Sequence, residues 1–121
     1  MFKLADTCRF KWPVTIRKPS SAEAGQIEEQ SFVGLFRALP RTEAAALAEE
    51  MRRADTPETI AAAELHQIAS VLEGWEDVVD DVGAPVAFGE EVLAAACEWP
   101  WFREATARAY AEGISGARLG N

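Results

Sequence analysis

Between Arg9 and Arg17 the chain alternates strictly: Phe10, Trp12, Val14 and Ile16 are apolar, while Arg9, Lys11, Thr15 and Arg17 are polar. Side chains point to opposite faces at every step of a strand, so this run makes one strand with one buried face. Pro13 cannot donate a ladder hydrogen bond, which places the strand at a sheet edge or its residue on an unpaired side. Pro19 to Gly25 reads as a polar loop, and a second extended stretch covers roughly 26–36. Its acids, Glu28 and Glu29, face the bases of the first strand if the two pair antiparallel. An isolated hairpin is marginal in water, so residues 1–39 need a partner layer for their apolar face.

Residues 41–115 supply that layer as helices. Thr42 reads as an N-cap, with Glu43 in the first turn and Arg52 and Arg53 in the last, matching the helix dipole. Ala44, Leu47, Ala48 and Met51 form the apolar stripe of this first helix. After a short turn at Ala54 and Asp55, Thr56-Pro57-Glu58 opens a second helix. Ile60, Ala61, Leu65, Ile68 and Leu72 are its expected buried face, and Gly74 its expected end. Gly83 and Pro85 mark a turn flanked by two very short strands. A third helix follows over about 90–98, and Pro100 starts a fourth carrying Phe102, Ala105, Thr106, Ala109, Tyr110, Gly113 and Ile114 at helical spacing. The expectation is a single α+β domain over 1–121, a β-hairpin packed on about four helices, with 116–121 as a flexible tail.

Chemistry is sparse. His66 is the only histidine, and it lies opposite Ile60, Leu65 and Ile68 on its helix, the position of a solvated side chain. No serine or cysteine sits in a nucleophile motif. Asp77, Asp80 and Asp81 lack the alternating ligand spacing, glycine and closing glutamate of a calcium loop. Gly113, Gly116 and Gly120 follow a helix rather than precede one, so they form no phosphate loop. The sequence therefore predicts no enzyme, no metal and no cofactor. The net charge of −8 argues against nucleic acid as a partner. No run of about twenty apolar residues crosses a membrane, and the N-terminus lacks the apolar stretch of a signal peptide. Reduced thiols in a cytosolic protein are expected for Cys8 and Cys97, with a bridge between them the alternative.

Four tryptophans are many for 121 residues, and core packing accounts for most of them. Trp99 and Trp101, however, flank a proline at a helix junction, where both cannot easily point inward. An exposed one is an aromatic anchor of the kind that dominates protein interfaces.

The stretch from Val71 to Asn121 resembles the C-terminal half of the tail assembly chaperones of long-tailed bacteriophages. The resemblance is carried by Val71-Leu72-Glu73-Gly74-Trp75-Glu76-Asp77-Val78 and Gly83-Ala84-Pro85-Val86-Ala87-Phe88. It continues through Leu93, Trp99-Pro100, Ala109-Tyr110 and the final Leu119-Gly120-Asn121. It covers about two-fifths of the chain, and over the N-terminal hairpin only the layout is similar. Gly89 stands where the family pattern has a serine or threonine cap.

The resemblance implies a chaperone that binds the tape measure protein, keeps it soluble and promotes tail tube polymerisation. It also implies work in the cytoplasm of the bacterial host, absence from the mature virion, and contact with the tail tube protein through a frameshifted longer product. Homo-oligomers fit the role. Trp75, Trp99, Trp101, Phe102 and Tyr110 are the candidate partner-binding residues. The alternative function is a structural tail-completion or head–tail joining protein of the virion.

Overall fold

The computed structural model describes residues 1–116. It is an α+β fold in which one antiparallel sheet carries its helices on one face. The strands are β1 (Arg9–Pro19), β2 (Ile27–Arg37) and β3 (Leu72–Glu76), in the order β1-β2-β3. The helices are α1 (Arg41–Arg53), α2 (Pro57–Val71), α3 (Glu90–Ala96) and α4 (Pro100–Ser115). The expected tail lies, from residue 117 onward, outside the described residues.

β1 is an edge strand, as Pro13 requires, and its register follows the alternation. Phe10 pairs with Phe36, Trp12 with Gly34 and Val14 with Phe32, all on the helix-covered face. On the polar side of the hairpin Arg17 lies opposite Glu29, and at its loop end Lys18 opposite Glu28. Their charged groups are 4.0 and 3.9 Å apart. Such exposed pairs contribute little energy, but they favour this register over its slips.

The third strand is where sequence and structure part. Helix α2 stops at Val71, and Gly74 lies within β3 rather than ending the helix. Leu72, read as a helical residue because it continues the spacing of Leu65 and Ile68, instead pairs with Phe36 across the sheet. Two close approaches fix this pairing. A Cβ on Gly34 would lie 2.5 Å from the Phe36 ring and 3.2 Å from Leu72, and one on Gly74 would lie 2.9 Å from Leu35. The buried face of α2 is correspondingly rotated. Ala63, Ile68 and Val71 are buried, whereas Ile60 and Ala61 are exposed. Alanine at 63 lets α2 approach its neighbours closely, and the Glu64 carboxylate faces Arg103 of α4 at 3.6 Å.

Helix α1 also begins differently. Pro40, not Thr42, is its N-cap, with extended ψ of 156° and no side-chain cap bond. Glu43 is drawn away to Arg37, whose guanidinium donates to both of its oxygens at 3.0 and 2.6 Å. The same guanidinium donates to the Ser70 carbonyl and lies 3.8 Å from Glu73. One side chain thus ties β2 to α1, to the end of α2 and to β3. These hydrogen bonds hold the Glu43 carboxyl below its usual range. Of the expected α1 stripe only Leu47 is buried. Thr56 caps α2 as read, in a capping box completed by Thr59.

One core joins the layers: Val14, Phe32, Phe36, Ile68, Leu72, Leu93, Phe102, Ala105 and Ala109 belong to a single buried cluster. Helix α4 lies along β1 and closes it. The rings of Phe10 and Phe36 stack at 5.5 Å, and those of Phe32 and Phe102 at 5.9 Å. Thr106 is fully buried, and its hydroxyl has no hydrogen-bond partner among the described residues. A buried hydroxyl left unpaired costs more than the isosteric methyl. Thr106→Val is therefore expected to stabilise the protein by about 1 kcal/mol, read as a shifted denaturation midpoint at constant m-value. Destabilisation of the valine variant would mean that the hydroxyl has a partner in solution.

Candidate partner-binding site

The segment between β3 and α3 is short of regular structure but held tightly. Asp77 takes a left-handed conformation, φ 66°, which aspartate tolerates better than most residues. The Asp80 carboxylate then accepts the backbone N–H groups of Val82 and Ala84 at 3.0 and 2.9 Å. Gly83, at φ 85°, completes the reversal. A bridge between Val79 and Pro85 stands where two very short strands are predicted. Trp75 anchors the segment from below: its indole N–H donates to the Val86 carbonyl at 2.8 Å, and its ring meets Phe88 edge-on at 4.9 Å.

Cys97 and Trp99 connect α3 to α4. Gly89 is the N-cap of α3, as read, and contributes no side-chain bond. Pro100 opens α4 directly after Trp99. The rings of Trp99 and Trp101 stack face to face at 5.0 Å. Trp99 is 53 % exposed, whereas Trp101 is half-buried against the core.

The five predicted partner-binding residues fall in two places. Trp75, Trp99 and Phe102 line one open depression of about 560 Å³, together with Ile16, Phe32 and Val92. Trp101 adjoins it through its stack on Trp99. Phe102 is only 6 % exposed, so it forms the floor and supports the wall residues by packing. Tyr110 belongs elsewhere. It lines a smaller depression of about 250 Å³ between α1, α2 and α4, with Leu39, Leu47, Ile68, Val71 and Thr106. There its hydroxyl accepts the Leu39 backbone N–H at 2.9 Å, which orders the entry into α1. Sequence reasoning passed over Val79, which lines the first depression and is 56 % exposed, and Val82, which is 83 % exposed on the same turn. The available signal was two valines set among aspartates, which no strand or helix period absorbs.

No constellation of reactive groups accompanies these depressions. Among the described residues, no three His, Cys, Asp or Glu side chains are grouped to hold a metal ion. His66 is exposed, with Nδ1 2.5 Å from the Glu50 carboxylate. Both cysteines are free, Cys8 exposed and Cys97 buried. Burial pushes the Cys97 thiol up to about 11. The thiolate is the reactive form, so a thiol reagent near pH 8 is expected to modify Cys8 quickly and Cys97 only on unfolding. Stability has the matching sign. Between the ordinary thiol value near 9 and about 11, the unfolded chain loses the Cys97 proton while the folded chain keeps it. Stability therefore falls as pH rises through that window, and a Cys97→Ala variant should lack this component. Equal labelling of both thiols in the folded protein would contradict the burial.

Among the described residues no helix is long and apolar enough to cross a membrane. Compared with known proteins, the chain matches no family model, no curated protein and no solved structure.

Proposed function

We propose that the chain is a tail assembly chaperone of a long-tailed bacteriophage or prophage. It binds the tape measure protein in the cytoplasm of the producing bacterium, keeps that client soluble and promotes tail tube polymerisation around it. The reading is supported above all by the ordered pattern from Gly74-Trp75 through the acidic turn and Phe88 to Trp99-Pro100 and Ala109-Tyr110. The open apolar depression beneath Trp99 agrees with it, since a client rich in apolar helical stripes is held by helix-in-groove contacts. Several copies along one long client add avidity without tight single contacts. The protein acts by binding alone, without catalysis or cofactor. It leaves before the virion is complete, and a longer frameshifted product supplies the contact with the tail tube protein.

Co-expression with the tape measure protein of the same phage tests the reading. The expected result is that the client co-purifies with this chain and that its soluble yield rises. Absence of both effects rejects the chaperone. Detection of stoichiometric amounts of this chain in purified particles also rejects it, in favour of a structural tail component.

A further inference from the structure

Strand β2 runs on past the end of β3. β3 covers its edge only from Val33 to Phe36, because the left-handed Asp77 carries the chain away after Glu76. The rest of that edge, from Ile27 to Phe32, belongs to residues paired with β1 alone. The register decides which backbone groups stay open. Just beyond the two ends of the hairpin, Ala38 N–H donates to the Cys8 carbonyl and Ser20 N–H to the Gln26 carbonyl. Both bonds join even-numbered residues, and Pro13, which has no N–H, lies opposite odd-numbered Val33. Even-numbered residues of β2 therefore bond to β1, and Ile27, Glu29 and Ser31 turn their N–H and C=O groups outward. All three residues are exposed. The neighbouring turn does not satisfy them: the Val78 carbonyl and both backbone groups of Asp80 bond to Val86, Ala84 and Gly83. Ser31 and Phe32 instead line an open depression of about 670 Å³ together with residues 77–81.

We propose that this edge binds an extended segment of a partner protein bearing lysine or arginine, which adds to β2 in line with β3. The contact is additional to the one beneath Trp99, and its chemistry does not depend on the chaperone reading. Main-chain donors and acceptors at every second residue are matched by another strand, whereas a helix has already used its own. The stretch from Ile27 to Ser31 spans about 17 Å, enough for about five paired residues. Ile16, Phe32 and Val78 in the depression take the apolar side chains of one face of that segment. Charge sets the other preference. Glu28, Asp77, Asp80 and Asp81 line the depression against a single cation, Lys18, which stands 3.9 Å from Glu28. Among the described residues the three aspartates form no ion pair, so an incoming base finds them unmatched. A second copy of this chain paired about Glu29 would set like carboxylates opposite each other, which is penalised. The outer edge of β1 is the other open edge, but the same register turns Pro13 outward in its middle, where a donor is missing.

The test uses a capped peptide of about seven residues, alternating lysine and valine, which covers the open stretch. A glutamate–valine counterpart is the charge control. Affinity is read by calorimetry on the intact protein at physiological salt, and the site by residue-resolved amide exchange. In the free protein the Glu29 and Ser31 amides should exchange quickly, and those of Gln30 and Phe32 slowly. The lysine peptide should bind and slow Glu29 and Ser31 by about tenfold or more, and the glutamate peptide should do neither. Two further peptides are N-methylated, one at every lysine and one at every valine. One of them should lose binding and the other keep it, since only every second N–H of the added strand faces β2. Asp77→Asn/Asp81→Asn should weaken the lysine peptide about fivefold, with folding kept because asparagine also tolerates the left-handed backbone at 77. Asp55→Asn/Glu58→Gln removes the same charge at the exposed turn between α1 and α2 and should leave binding unchanged. Equal effects of the two methylations or of the two double variants, equal binding of the lysine and glutamate peptides, or a complex with Glu29 and Ser31 still unprotected would overturn the site. Protection of those amides already in the free protein would overturn it as well, by showing that this chain covers its own edge. Co-purification of the tape measure protein is read separately. Edge protection by the peptide without client binding upholds the site and rejects the chaperone, while client binding without edge protection does the reverse.

Discussion

Truncation of Phe36 to alanine is expected to remove about 3–5 kcal/mol of folding free energy, the largest loss for any single side chain in this protein. Phe36 is 1 % exposed, in the middle strand. Its ring stacks on Phe10 of β1 and meets Tyr110 of α4 at 6.0 Å. It also lies over Gly34 and beside Leu72, so every layer that closes the sheet touches it. The cost has two parts, the lost transfer of the ring from water and the void that the surrounding backbone cannot fill. Small domains have only about 5–15 kcal/mol in total, so the alanine variant should be marginal. Phe36→Leu provides the measurable companion, with a loss expected below that of alanine. Guanidinium unfolding with both variants gives the comparison. An alanine loss under about 1 kcal/mol would show that the core does not centre on this ring.

The second large effect runs in the opposite direction, from too much volume. A Cβ added at Gly113 would strike the edge of the Phe10 ring, because α4 approaches β1 there without an intervening side chain. Gly113→Ala gains helix propensity, worth about 1 kcal/mol in an exposed helix. The clash opposes that gain, and overpacking of this kind costs about 1–3 kcal/mol. The clash should win, since Phe10 is confined by its stack on Phe36 and its contact with Tyr110. Shortening the obstacle should reverse the sign: in a Phe10→Leu background, Gly113→Ala should be neutral or stabilising. Equilibrium unfolding of the two single variants and the double variant measures the coupling. Additive losses would mean that α4 can shift away from β1 at little cost.

Where neighbours in sequence decide the structure, the reading from sequence holds. The alternation at Phe10, Trp12, Val14 and Ile16 specifies the inner face of β1, and the charges of Arg17, Lys18, Glu28 and Glu29 agree with its register. Thr56-Pro57 and Gly89 start their helices for local steric and hydrogen-bonding reasons. Residues 72–76 behave otherwise. Leu72 continues a helical spacing and Gly74 resembles a helix stop, yet β2 recruits both into a strand. That decision is made by Gly34 and Leu35, nearly forty positions away in the chain, which no local pattern contains. The α1 cap fails for a similar reason: Glu43 is pulled toward Arg37, whose position depends on the sheet.

The candidate surface divides along the same line. Aromatic residues beside a proline signal an interface, and Trp99 is indeed exposed. The rotation of α4, which sends Phe102 into the floor and Tyr110 to the opposite depression, is set by packing on β1. Only the folded chain shows which of the helix's aromatics share a surface.

The contact between β1 and α4 also governs the order of events in time. The Trp12 indole N–H reaches the Glu112 carboxylate across a hundred positions of sequence, and Phe10 meets Tyr110 over the same span. A chain leaving the ribosome makes its first strand early but completes the layer that shelters it only when α4 emerges. Until then the apolar face of the hairpin has only the earlier helices to cover it. Closing so long a loop costs entropy before any contact compensates, which slows folding relative to a helical bundle of equal length. The nascent chain thus carries for most of its synthesis the hazard that chaperones exist to relieve, an uncovered β-surface open to aggregation.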